Sequence, residues 1–189
     1  MAGAKGAGRP QKGAETLSRE RILSRALPLV QKNGIEAISF RRLADVLVVS
    51  PMAIKYHVGN RHDLLAALIE RAFQNTIEES DESDPARRLK HILSRYCARA
   101  IENAYLLRCI LGDPTLMGGE LVAITREIRK HTRILNDGDA NDVMLDLLVD
   151  YTHGFVFSAF AAPRENGPTM EGYLRGIDWV LNADAAAQT

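Results

Sequence analysis

From Ser18 onward, apolar residues recur every three or four positions, and the breaks between these runs carry residues that start and stop helices. Ile22, Leu23, Ala26, Leu29 and Val30 fall on one face of a helix that Ser18 caps and Asn33-Gly34 closes. Pro28 lies inside it and removes one backbone hydrogen bond, so a kink is expected there. Ser39 opens a short helix with Phe40, Leu43, Ala44 and Leu47 inward. Ser50-Pro51 opens the next, with proline at the first helical position, where a missing N–H is harmless. That helix runs to about Val58 and ends at Gly59-Asn60. A fourth is predicted from about Arg61 to Glu79, before the polar stretch SDESDP.

The remainder also reads as helices, over Pro85 to Glu102, Ala104 to Leu111, Gly119 to Asn136, Asp139 to Ala162 and Thr169 to Ala183, separated by GDPT, NDGD and PRENGP. Period-two alternation is absent, so the predicted fold class is all-α. Residues 1–17, rich in glycine and without hydrophobic spacing, are expected to be a disordered basic arm.

Two short helices joined by a few residues, the second opening with Ser-Pro, form a helix-turn-helix pattern. Ile22, Ala26, Phe40, Leu43, Leu47, Ile54 and Val58 would fix the angle between the helices. Pro51, Met52, Ala53, Lys55, Tyr56 and His57 are left on or near a face able to enter a major groove. On pattern alone, an unremarkable helix pair remains the alternative. The charge distribution adds weight: the chain is neutral, but residues 1–65 hold eleven Lys and Arg against five Asp and Glu, a balance of +6 that leaves −6 for the rest. A basic third on an acidic body suits phosphate binding, although solvated faces also look like this.

The stretch Ser18 to Phe73, SRERILSRALPLVQKNGIEAISFRRLADVLVVSPMAIKYHVGNRHDLLAALIERAF, resembles the N-terminal domain of the tetracycline-repressor (TetR) family of bacterial transcriptional regulators. The shared features are the Asn33-Gly34 helix end, Ser39, Leu43-Ala44, Tyr56-His57-Val58, Arg61 and Leu64-Leu65. The resemblance implies a helix-turn-helix DNA-binding domain at 18–65 and a helical effector-binding and dimerisation domain at 66–189. It also implies a homodimer on a palindromic double-stranded operator and a repressor released by a small molecule. By the same resemblance, Ser39 and Arg61 hold phosphates and Arg41 reaches a base edge. Pro51, Met52, Lys55 and Tyr56 read or line the groove, and His57 straddles core and phosphate. Two positions depart from the family: Val48 stands where the turn usually has glycine, and Lys55 stands where tyrosine is frequent. If Val48 keeps a positive φ it is strained by about 1 kcal/mol or more; otherwise the turn is rebuilt.

For the second domain the resemblance implies two late helices paired with their symmetry mates. Gly154 and Ser158, four apart, would allow close helix approach, with Tyr173 and Ile177 on the facing helix; periodicity alone fits a subunit-core helix at 139–162 equally. Tyr96, Asn103 and His153 interrupt apolar faces, either as polar groups of a ligand pocket or as hydrogen-bonded core members.

An enzyme is the competing class, but no phosphate loop, nucleophile elbow or His-Glu metal pair is present. A helical DNA-binding protein without an effector is the other. Cys97 and Cys109 read as ordinary thiols, and no cofactor or metal is expected. No apolar run of about 18 residues is apparent and no secretion signal is seen, so the expected location is cytoplasmic, with no membrane partner.

Overall fold

The computed structural model describes residues 16–137, 141–162 and 167–187. The elements are α1 (Arg19–Asn33), a short 3-10 turn (Ile35–Ala37), α2 (Phe40–Leu47), α3 (Pro51–Val58), α4 (Arg61–Phe73), α5 (Pro85–Glu102), α6 (Ala104–Gly112), a second 3-10 turn (Pro114–Leu116), α7 (Gly119–Leu135), α8 (Val143–Ala161) and α9 (Met170–Ala187). No strand occurs among the described residues.

Caps begin these helices where the sequence places them. Ser18 accepts from the Arg21 amide, Ser39 from Arg42 and Ser50 from Ala53, each at 3.1 Å, satisfying donors that a helix start leaves orphaned. Asn60 and Asp63 form a reciprocal capping box at the start of α4. Helix α1 continues through Pro28.

Helix α4 ends at Phe73, six residues before the expected Glu79. Asn75 adopts a left-handed backbone (φ 58°), the Thr76 hydroxyl bonds the Phe73 carbonyl at 2.6 Å, and Arg95 of α5 donates to the Asn75 and Thr76 carbonyls at 2.8 Å. A partner 20 positions away thus terminates the helix, which local periodicity cannot reveal. The expected arm at 1–17 lies mostly outside the described residues, and Leu17 already packs on the core. The expected domain boundary at 65/66 falls inside α4, which packs against both α1 and the body.

The helix-turn-helix core consists of Ile22, Ala26, Leu43, Leu47, Ile54 and Val58, all buried; Phe40 is only partly covered. In the body, α5 is the central helix and touches α4, α6, α7, α8 and α9. Its Leu89, Ile92, Leu93, Cys97 and Ala100 are essentially without solvent contact. Burying each such leucine or isoleucine stabilises the fold by about 1.5–3 kcal/mol.

Helix α8 corrects one expectation. Its 19 residues, mean hydropathy 1.3, are long and apolar enough to cross a membrane by length and composition. In the fold, Leu148, Thr152 and Val156 point into the bundle, while Val143 and Leu147 face outward.

Candidate nucleic-acid interface

Helix α3 is held from behind by Ile54 and Val58, 0% and 2% exposed, so its opposite face is presented rigidly. That face carries Met52 and Tyr56, 71% and 86% exposed, with Pro51 and Lys55 also open and Ala53 and His57 half-buried. Large apolar groups left this bare on a locked helix suit thymine methyls and base edges, while Lys55 supplies charge. The Tyr56 and His57 rings meet edge-on with centroids 5.3 Å apart, which orders both.

Arg41 is exposed in the first turn of α2. The Ser39 hydroxyl oxygen caps α2, leaving its O–H proton available to a phosphate. Arg61 has a structural duty that its sequence position does not disclose. Its Nη1 donates to the Ile38 carbonyl at 3.0 Å, tying the start of α4 to the segment entering α2, while the residue remains exposed.

Val48 joins α2 to α3 in the left-handed region (φ 56°, ψ 49°) and is 90% exposed. The turn is therefore not rebuilt around the missing glycine. The strain remains, with no burial to offset it.

The body holds a small cavity, about 80 Å³, between α5, α6, α7 and α8. Tyr96 and His153 line it and bond to each other, hydroxyl to Nε2, at 2.8 Å, among Leu107, Ile110, Leu121 and Ile124. Burial holds the His153 imidazole below its usual range against the opposing pull of Asp150, and burial raises the Tyr96 phenol. Both groups are therefore neutral near pH 7, forming a polar pair in an apolar setting.

Asn103 does not join them. Its oxygen accepts from Gln31 of α1 at 3.0 Å and its amide donates to the Arg99 carbonyl at 2.8 Å, so it links the body to the helix-turn-helix unit. His62 of α4 makes a second link, bonding Thr115 at 2.9 Å. Sequence reasoning missed both, because the partners lie 72 and 53 positions apart.

Two of the four expected seam residues lie inside the protomer. Tyr173 and Ile177 are 0% exposed inside the protomer. The Tyr173 hydroxyl bonds Thr152 at 2.7 Å, and its ring stacks on Tyr151 at 5.4 Å. The bundle selects this face of α9 because α5 and α8 close over it. Gly154 and Ser158 are exposed on α8, and a Cβ added at Gly154 would meet nothing within 4 Å. The same outer side of the body carries Val143 and Leu147, the latter 52% exposed; on α9, Trp179 is 72% exposed.

No family model matches the chain. A curated relative from Saccharopolyspora erythraea, an HTH-type transcriptional regulator, is 32% identical over 68 residues, covering 34% of this chain; the chain spans under a third, 29%, of that relative's length. Among solved structures, BioQ of Mycobacterium smegmatis superposes with a TM-score of 0.75 at 17% identity, over 90% of this chain and 99% of that one. BioQ with its double-stranded DNA operator gives 0.73 at 17% identity, with 90% and 99% covered. ActR of Streptomyces coelicolor, a TetR family protein, in complex with (S)-DNPA gives 0.70 at 18% identity, with 90% and 98% covered. The exposed helix α3, the buried tripod behind it and the helical body together give this chain the fold of the TetR-type transcriptional regulators.

Proposed function

We propose that this chain is a dimeric DNA-binding transcriptional regulator, a repressor whose hold on a palindromic operator weakens when a small molecule occupies the helical body. The observation that carries this reading is α3, a short helix locked by Ile54 and Val58 that leaves Met52, Lys55 and Tyr56 uncovered. In this reading residues 18–65 form the DNA-binding domain and 66–189 the effector and dimerisation domain, with α4 shared between them. Ser39 and Arg61 contact phosphate, Arg41 and Lys55 contact base edges, and Pro51, Met52, Ala53, Tyr56 and His57 complete the groove surface. Solved structures of the same fold include one with a DNA operator and one with a small molecule, which supports both halves of the proposal. The role is regulatory rather than enzymatic and is exercised in the cytoplasm.

The dimer seam is assigned to the outer face of α8, with Val143, Leu147, Gly154 and Ser158, together with Trp179 of α9. Tyr96 and His153 are the polar groups of the inner cavity. A coupling of about 1–3 kcal/mol between ligand and operator is expected, and it is reciprocal.

Selection from a random duplex library followed by fluorescence anisotropy tests the reading. The expected result is enrichment of two inverted half-sites about one helical turn apart, bound far more tightly than random duplex and with a steep salt dependence. Equal affinity for enriched and random duplexes at every salt concentration refutes it.

A further inference from the structure

We propose that the effector is a small ring-bearing monocarboxylate, that it lies in a groove between α6 and the C-terminal half of α8, and that it acts on the DNA-reading unit through Tyr105. The proposal rests on the regulator reading above and names the ligand class and its route. The inner cavity of about 80 Å³ is too small for an ordinary effector, since pockets for such molecules run to roughly 300–1,000 Å³. The groove measures about 440 Å³ and is lined by Ala104, Tyr105, Arg108, Leu111, Phe157 and Phe160.

The lining selects the ligand. Three aromatic rings and the aliphatic side chains of Ala104, Leu111 and Ala161 favour a flat apolar skeleton. Among the described residues Arg108 is the charged group in the lining, and its side chain forms no ion pair or hydrogen bond there. A guanidinium at the edge of an apolar groove matches a carboxylate, which it can hold through two parallel N–H donors. A neutral ring leaves this cation unused, and a small polar anion leaves the rings uncovered.

Tyr105 connects the groove to the DNA-reading unit. One side of its ring meets Phe160 edge-on, with centroids 4.8 Å apart and planes at 82°. The ring also lies against Gly34, the residue ending α1, where an added Cβ would sit 3.1 Å from Cε1. Four residues later the Ile38 carbonyl receives Arg61, and Ser39 then caps α2. A ligand ring inserted between Tyr105 and Phe160 separates that pair. Tyr105 is then driven onto Gly34, whose backbone has no side chain to yield. The displacement reaches the segment that sets α2, and with it the reading helix.

Titration calorimetry of the full chain with biphenyl-4-carboxylate and with neutral 4-biphenylmethanol tests the binding half without any DNA. The carboxylate is expected to bind at least about tenfold more tightly, and Arg108→Gln is expected to remove that preference while leaving the alcohol within about twofold. Equal binding of the two probes by the unmodified chain overturns the proposal, as does failure of both to bind. Loss of the dimer in Phe160→Ala, without carboxylate binding by the parent, assigns the groove to a subunit seam and also overturns it.

The regulatory half is read by anisotropy on the enriched duplex. Saturating carboxylate is expected to weaken operator binding at least fivefold. Tyr105→Ala is expected to weaken binding of the carboxylate and the alcohol alike, keep the preference between them, and lose the effect on the operator at saturating carboxylate, with Tyr105→Phe keeping that effect. If carboxylate binds with the predicted preference and operator affinity does not move, the route through Tyr105 is wrong. If no duplex is enriched, the regulator reading fails, while the calorimetric result still stands or falls by itself.

Discussion

Replacing Val48 by glycine is expected to stabilise the folded chain, a result opposite to the usual effect of introducing glycine. Val48 sits at φ 56°, ψ 49°, where a β-branched side chain crowds the backbone at a cost of about 1–2 kcal/mol. Because the side chain is 90% exposed, removing it forfeits almost no burial. Against the relief stands the greater freedom of glycine in the unfolded chain, worth about 0.4–1 kcal/mol. The balance is a gain of roughly 0.5–1 kcal/mol, which for a chain of 189 residues raises Tm by about 1–4 °C. Val48→Ala is the control, since alanine trims the branch without providing glycine's access to the left-handed region. Urea and thermal melts of the three proteins measure the order, expected to be glycine above valine, with alanine gaining less than glycine. A destabilised Val48→Gly, or equal gains from both substitutions, refutes the strain argument. Operator affinity of the glycine variant carries separate information. A drop despite higher stability shows that the valine side chain contacts DNA and that its strain is retained for that contact.

Arg41→Ala is expected to cost roughly 1–3 kcal/mol on the operator and little on random duplex. Arg61→Ala should weaken both alike, flatten the salt slope by about two per dimer, and lower Tm because the bond to Ile38 is lost; identical behaviour of the two variants defeats the division into reader and holder. Leu147→Asp is expected to leave the protomer folded and give a monomer by light scattering at micromolar concentration, since an unpaired charge in an apolar seam costs several kcal/mol. Ile177→Asp should unfold the protomer instead, because Ile177 is inside it; a folded monomer from Ile177→Asp contradicts that placement. His153 and His131 are both held below the usual imidazole range, chiefly by burial. The unfolded chain then binds more protons below about pH 6.5, so their stabilising contribution is fully present above that pH and declines as pH falls toward the folded values. Thermal melts between about pH 7.5 and 5 should show the decline, and His153→Gln should reduce it; an unchanged slope removes His153 from the account. The depressed carboxyls of Asp113 and Asp142 titrate in a separate, more acid window.

Local chemistry made much of this protein legible from its residues alone. Ser18, Ser39 and Ser50 cap helices because a short hydroxyl side chain satisfies amides two or three positions ahead, and Gly34 and Gly59 end helices at positive φ, where other residues are strained. The spacing of Leu43, Leu47, Ile54 and Val58 settled which side of α2 and α3 is buried, and therefore which side is left to meet a groove. These features act over one or two helical turns, the range in which sequence and geometry are nearly the same information.

Tertiary structure decided what depends on distant partners. Helix α8 is apolar on most sides, so periodicity could not assign its faces; packing turned Leu148 and Val156 inward and left Leu147 and Gly154 out. Tyr173 and Ile177 share one stripe of α9 that suits a subunit seam or a protomer core equally well, and contact with α5 and α8 chose the core. Asn103 could be read from its sequence as a pocket residue or as a hydrogen-bonded core member, and in the fold it bonds Gln31. Arg61 keeps the surface position its motif suggests while also holding Ile38. A polar side chain interrupting an apolar run must find a partner, but its sequence does not say whether that partner is a ligand, another helix or another subunit. Only the fold, by placing an oxygen or a nitrogen within about 3 Å, makes the choice.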